Sequence, residues 1–206
     1  MKSLEKQLEE MYDRLGVSEK NQGSINTYLS MLRLKDQATY EHSIRVGLLG
    51  VGVAEYADLD KKAMFFAGTL HDIGKIMIRP EVLKKSGKYT KKDIREMQQH
   101  PKYGYRLLSG VHDFSAEVAL RHHKYQSMSY PKKNYKPKVH FSKDTMINLD
   151  LHAKMLAIVD FYDAINTRDN QKFGKKLSKE EAKRVLTKTY SEHKDLIEEL
   201  YLNQVF

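Results

Sequence analysis

The sequence predicts an all-α protein, and three observations carry that prediction. Apolar residues recur at three- and four-residue spacing along most of the chain, which is the period of an amphipathic helix. Only four prolines interrupt it, at positions 80, 101, 131 and 137. No segment of any length alternates apolar and polar residues as a half-buried strand does.

Leu4, Leu8, Met11 and Leu15 form one apolar stripe, and Gly16 is placed to end that first helix. Asn21-Gln22-Gly23-Ser24 reads as a turn. A boundary there separates an N-terminal helical arm, residues 1–23, from a main domain, residues 24–206. A helix over about 38–57 places Ile44, Leu48, Val51 and Ala54 on one face. Asp58 or Asp60 offers an N-cap for the next helix, through Ala63, Met64, Ala67 and Leu70, which ends at His71-Asp72. Thr90 with Asp93 resembles a capping box that starts a helix toward Gln99. His100-Pro101 marks a boundary, because proline disfavours a helical residue before it.

Residues 102–110 and 115–123 read as two further helices. The stretch 124–143 has loop composition, with lysines interleaved among Tyr125, Tyr130, Tyr135 and Phe141. A long helix follows over about 148–167. Ser178 with Glu181 is a second capping box, opening a last helix or two.

The chain has 206 residues, enough for one well-buried domain. Charged residues make up 31%, the mean hydropathy is −0.65, and no apolar run approaches the roughly 20 residues of a membrane span. The first residues lack the apolar core of a signal peptide, so a cytoplasmic location and no membrane partner are expected. There is no cysteine, which excludes disulfides and thiolate metal sites. The net charge of +9 suits an anionic partner such as a nucleotide. Nucleic acid ranks low, because the basic residues are spread along the chain and no nucleic-acid motif appears.

The chemistry concentrates at His71-Asp72-Ile73-Gly74-Lys75. His42 precedes it, and His100, His122-His123 and Asp160 follow. Neutral imidazoles and carboxylates suit divalent transition metals, and one carboxylate can bridge two ions. Asp160 stands in the apolar run Ala157-Ile158-Val159-Asp160-Phe161, where a buried carboxylate needs a partner. A metal ion, Arg45 or Lys154 could each serve.

In order and context these residues resemble the HD superfamily of metal-dependent phosphohydrolases, and within it the HD-GYP subgroup. The resemblance covers about residues 36–172. It rests on His42, on His71-Asp72-Ile73-Gly74-Lys75, on His100-Pro101-Lys102-Tyr103-Gly104 as an HPxxG element, on His122-His123, and on Asp160-Phe161-Tyr162-Asp163-Ala164 followed by Arg168. It implies an HD-domain helical bundle with a central dinuclear metal site. One ion would be held by His42, His71, Asp72 and Asp160, and the other by Asp72, His100, His122 and His123, with Asp72 bridging. Fe or Mn leads for the metal, with Zn or Ni as alternatives. Some HD-GYP proteins hold a third ion with a Glu four residues before the first His. That place is Ala38 here, so two ions are expected.

The second HD-GYP signature, HHExxDGxGYP, is degenerate in this chain. Lys124 replaces its Glu, no Asp-Gly follows, Ser129 replaces a Gly, and only Tyr130-Pro131 remains. The metal chemistry is untouched and the substrate's identity is left open; the Lys- and Tyr-rich loop in its place suits phosphates and base stacking, or is a solvated, flexible loop. The resemblance implies a phosphodiesterase that hydrolyses a cyclic dinucleotide, cyclic di-GMP first among them, through a metal-bound hydroxide. Asp72 and Lys75 are the catalytic candidates. Lys75, Lys124, Tyr130 and Arg168 are the substrate-binding candidates, and Lys75 could equally be a cation closing a helix. The alternatives are an HD-type phosphatase acting on nucleotides or another small phosphate ester, and a nucleotide-responsive interaction module without turnover. A protein partner or a dimer would use the N-terminal helix or the 124–143 loop.

Overall fold

Asp36 shows how the chain starts its helices. Its carboxylate accepts hydrogen bonds from the Thr39 backbone N–H (2.8 Å) and hydroxyl (2.6 Å), capping the helix that carries His42. The computed structural model describes residues 2–125, 129–131, 139–167 and 177–206. Among them it contains eleven α-helices, two short 3-10 turns and no strand. The helices are α1 (Leu4–Arg14), α2 (Glu19–Lys35), α3 (Gln37–Tyr56), α4 (Lys61–Leu70), α5 (Pro80–Leu83) and α6 (Lys91–Met97). They continue with α7 (His100–Leu108), α8 (Asp113–Arg121), α9 (Lys143–Thr167), α10 (Lys179–Thr189) and α11 (Lys194–Leu202). A 3-10 turn, Ile73–Met77, follows α4.

Most sequence-derived starts and stops hold. Gly16, at φ +57°, follows α1 in the left-handed conformation that glycine adopts without strain. Asp60, rather than Asp58, caps α4 by accepting from Ala63 N–H at 2.9 Å. Both capping boxes form, Thr90 with Asp93 and Ser178 with Glu181. The all-α expectation is borne out.

Two expectations are corrected. The turn at residues 21–24 does not form, because α2 runs through it. Gly23 is exposed and costs roughly 1 kcal/mol in a helix interior. Ile25, Leu29 and Leu32 lie on one face and are buried, each stabilising by roughly 1.5–3 kcal/mol, so burial outweighs the local turn signal. The long helix α9 begins at Lys143, five residues before the expected start. Ser142 Oγ accepts from Thr145 N–H there at 3.1 Å, and Met146 and Leu149 extend the apolar face backwards.

The core has two halves, and α3 and α4 serve both. One half gathers Val46, Val53 and Met64 with α9, α10 and α11, through Leu156, Leu186 and Ile197. The other gathers Ile44, Val51 and Phe65 with Leu8 and Tyr12 of α1, Ile25 and Leu32 of α2, and Leu108 of α7. The α3–α4 pair approaches closely through glycine, since a Cβ on Gly68 would lie 2.9 Å from Gly47 Cα and from Val46 O. The His and Asp residues singled out in the sequence lie on α3, at the ends of α4, α7 and α8, and within α9.

Gly74 is the tightest point. A Cβ there would overlap the carbonyl oxygen of His100 and the backbone nitrogen of Gly104, which are backbone atoms that cannot swing aside. The 3-10 turn thus sits directly on the start of α7, and Gly74 sets the distance between the His71-Asp72 pair and His100. Gly74→Ala is expected to destabilise the protein by about 2 kcal/mol or more, within the usual range for overpacking. Urea unfolding of the two proteins measures this as a lower midpoint.

Candidate metal centre

Seven ligand-type side chains converge from five elements. His42 lies within α3, His71 and Asp72 at the end of α4, His100 at the start of α7, His122 and His123 just past α8, and Asp160 within α9. All are buried, with His71 and His122 at 0% exposure. Each place follows from local sequence. Pro101, lacking a backbone N–H, is accommodated in the first turn of α7 and puts His100 at its mouth. His122 and His123 occupy the turn where α8 runs out.

Hydrogen bonding fixes which ring nitrogen faces inward. Nδ1 of His71, His100 and His122 donates to the carbonyl three residues earlier, at Gly68 (2.7 Å), Met97 (2.7 Å) and Ala119 (2.6 Å). Nδ1 of His42 donates instead to Asp163 Oδ2 at 2.7 Å. A carbonyl or carboxylate oxygen can only accept, so in each case Nδ1 carries a proton, and in the neutral ring Nε2 presents a lone pair.

These Nε2 atoms and the two carboxylates crowd together. His42 Nε2 lies 3.1 Å from Asp160 Oδ1 and 3.6 Å from Asp72 Oδ2. His71 Nε2 is 3.3 Å from Asp72 Oδ2, and His100 Nε2 is 3.3 Å from Asp72 Oδ1. The Nε2 atoms of His100 and His122 are 3.5 Å apart, and those of His123 and His100 3.2 Å apart. Two donors held about 2.1 Å from one ion at a right angle stand about 3 Å apart. Three groups have ligand atoms all within 4.8 Å: His42, His71 and Asp160; His100, His122 and His123; and His71, Asp72 and His122.

Charge states match this geometry except at His71, where burial lowers the pKa but the carboxylates of Asp72 and Asp160 outweigh it and raise it. Burial penalises the Asp72 carboxylate, but His71, Lys75 and His100 around it hold its pKa well below the usual range. Burial likewise opposes ionisation of Asp160, and the neighbouring His42 and His71 outweigh it. Burial pushes His122 down to about 3 and His100 well below its ordinary value. Among the described residues, His42 Nε2, His71 Nε2 and Asp72 Oδ1 are buried with no well-formed hydrogen bond. Lone pairs facing one another around ionised carboxylates are the donor set of a cation site, and divalent metal ions fit it.

The centre forms the floor of a cleft of about 880 Å³. Asp72, His100, His123 and Asp160 reach its surface, as do Lys75, Lys84, Lys85, Tyr89 and Tyr130. Lys75 is buried and pairs with Asp72 Oδ2 at 2.5 Å. The Tyr130 ring stacks on His123, with centroids 4.4 Å apart. Ala38 also lines the cleft. Lys124 is exposed, with its Nζ 5.6 Å from the Tyr125 ring centre, and is not among the lining residues. Arg168 lies outside the described residues, as do Tyr135 and the lysines at 132, 133, 136 and 138.

Sequence reasoning weighed Arg45 as a partner of Asp160. In the structure Arg45 instead clasps Asp163, with Nε to Oδ1 at 2.7 Å and Nη2 to Oδ2 at 3.0 Å. Asp163 was not singled out from the sequence. Its signal is positional: it stands one helical turn after Asp160, and Arg45 stands one turn after His42. Burial raises the Asp163 pKa, and His42 and Arg45 outweigh that and lower it.

An all-α bundle with a buried His/Asp cluster under an open cleft defines a candidate metal-binding helical domain. The chain belongs to the HD-domain family, whose model matches residues 39–165. It is 34% identical over 151 residues to the cyclic di-GMP phosphodiesterase PA4108 of Pseudomonas aeruginosa, covering 69% of this chain and 34% of that protein. It is 30% identical over 159 residues to the cyclic di-GMP phosphodiesterase response regulator RpfG of Xanthomonas campestris, covering 72% and 39%. A Thermotoga maritima cyclic di-GMP phosphodiesterase is 32% identical over 149 residues, covering 68% and 38%. The chain thus spans little more than a third of the length of these curated relatives. In fold it is similar to the L. monocytogenes phosphodiesterase PgpH HD domain, solved in complex with cyclic-di-AMP. The TM-score is 0.57 at 18% identity, covering 87% of this chain and 85% of that one. No helix among the described residues is long and apolar enough to cross a membrane.

A cation that binds only the folded protein raises its stability by mass action, about 2.7 kcal/mol at a hundredfold excess over Kd. Stripping the protein with EDTA is expected to lower its melting temperature, and Mn²⁺ to restore it, whereas Ca²⁺, which prefers oxygen donors, restores it far less. Thermal melts in the three buffers check this.

Proposed function

We propose that this chain is a metal-dependent phosphodiesterase that opens a cyclic dinucleotide, with cyclic di-GMP as the leading substrate. The observation that carries the reading is the position of Asp72. Its two oxygens reach toward both groups of imidazoles, Oδ2 toward His42 and His71 and Oδ1 toward His100. That arrangement supports two ions, one on His42, His71, Asp72 and Asp160 and the other on Asp72, His100, His122 and His123. Ala38 offers no carboxylate for a third. Fe or Mn suits an imidazole and carboxylate set, and Zn or Ni is the alternative. Such a pair of ions supplies Lewis acidity, an activated water and charge stabilisation for phosphoryl transfer.

The chain's own residues do the rest. Lys75, on the cleft surface beside Asp72, meets the negative charge of a phosphodiester. Tyr130 and Tyr89 line the cleft, and aromatic rings there suit the stacking of bases. The cleft volume falls in the usual range for small-molecule sites. Lys124 and Arg168 remain sequence-based substrate contacts. The names of the relatives support a cyclic dinucleotide over other phosphate esters.

The test is chromatography of cyclic di-GMP incubated anaerobically with Mn- or Fe-loaded protein. Wild type is expected to yield the linear dinucleotide or GMP. Intact substrate with metal bound would overturn the reading, and inorganic phosphate from a nucleotide monophosphate would favour the phosphatase alternative. Asp72→Ala is expected to lose metal and activity together. Lys75→Ala is expected to keep its metal, by elemental analysis, while turnover falls by roughly 10²–10³, the usual cost of removing one charge-stabilising donor.

A further inference from the structure

The imidazoles of the centre are not backed alike. His71, His100 and His122 each donate Nδ1–H to a neutral backbone carbonyl of their own chain segment. His42 alone among these four donates to a carboxylate, Asp163, which is 2% exposed. Asp163 is fixed in turn by the two-pronged Arg45 contact and by Thr167, whose hydroxyl lies 3.2 Å from Oδ2. A carboxylate on Nδ1–H makes the far nitrogen a stronger electron donor, and a bidentate guanidinium holds that carboxylate in one orientation. The asymmetry falls on one side of the centre. His42 groups with His71 and Asp160, whereas the other group is His100, His122 and His123. Asp72 reaches toward both, so Asp160 and the Asp163 behind His42 are the anionic oxygens that one side has in addition.

We propose that Asp163 is a positioning residue that, through His42, makes the His42–His71–Asp160 position bind its divalent ion more tightly than the His100–His122–His123 position. The two positions then fill in order, the Asp163-backed one first. This rests on the two-ion reading given above.

The test is titration of metal-free protein with Co²⁺, followed by calorimetry and by visible absorption, with bound metal counted after desalting. Wild type is expected to load in two steps. His123→Ala, which weakens the other position, is expected to keep the tight step. Asp163→Asn, nearly isosteric but uncharged, is expected to weaken that tight step by roughly 10–100-fold and shift its Co²⁺ spectrum, leaving the weak step unchanged. Equal weakening of both steps, or no change in either, would overturn the proposal. Should Asp163→Asn fail to fold by circular dichroism, Arg45→Gln takes its place. It leaves the carboxylate on His42 but loosens its anchor, and is expected to weaken the tight step by a smaller factor. An unchanged tight step in Arg45→Gln would overturn the proposal. Failure of wild type to bind any metal would sink the functional reading itself, whereas two-step binding indifferent to Asp163 would sink this inference alone.

Discussion

Two carboxylates, Asp72 and Asp160, are held almost out of water in the middle of a helical bundle, and the surrounding structure answers that cost. Burying an isolated carboxylate costs several kcal/mol even after relaxation. Here each is ringed by imidazoles, and Lys75 adds a full positive charge beside Asp72. The ring is possible only because five elements end or cross at one place. The close approach of α3 and α4 at Gly47 and Gly68 brings His42 and His71 together, and Gly74 lets the 3-10 turn sit on the backbone of His100.

Much of this was legible in the chain. The types, order and helical context of His42, His71, Asp72, His100, His122, His123 and Asp160 carried the family resemblance, and the structure brings all seven together. Caps at Asp60, Thr90 and Ser178 were readable because a capping side chain acts on backbone only three residues away. What was not readable depends on distant contacts. The polar run at 21–24 looks like a turn until Ile25, Leu29 and Leu32 are seen to be buried against α3 and α4. The clasp of Arg45 on Asp163 spans 118 residues of sequence, and nothing local distinguishes it from a pairing with Asp160.

The cleft wall shows how an eroded signature can coexist with an intact centre. Tyr130, kept with Pro131 from the far end of the second HD-GYP signature, stacks on His123, which is kept from its start. The replaced positions, Lys124 and Ser129, are exposed. Where Leu83, Lys84, Lys85 and Tyr89 line the cleft, Lys85 pairs with Asp93 at 2.5 Å, and Arg79, just before α5, pairs with Glu96 at 2.7 Å. The floor and one wall of the cleft are thus built from well-tied side chains.

The bonds from His71, His100 and His122 to carbonyls three residues earlier have a bearing on descent. Each ring takes its orientation from the backbone beside it, so its aim is inherited with the helix end that carries it. Substitutions on the rim of the cleft need not disturb that aim. Residues on the rim can then be exchanged while the inward-facing rings on the floor keep their aim. His42 differs from those three: its aim depends on a side chain from another helix, which ties the floor to a second place in the chain that must change in step with it.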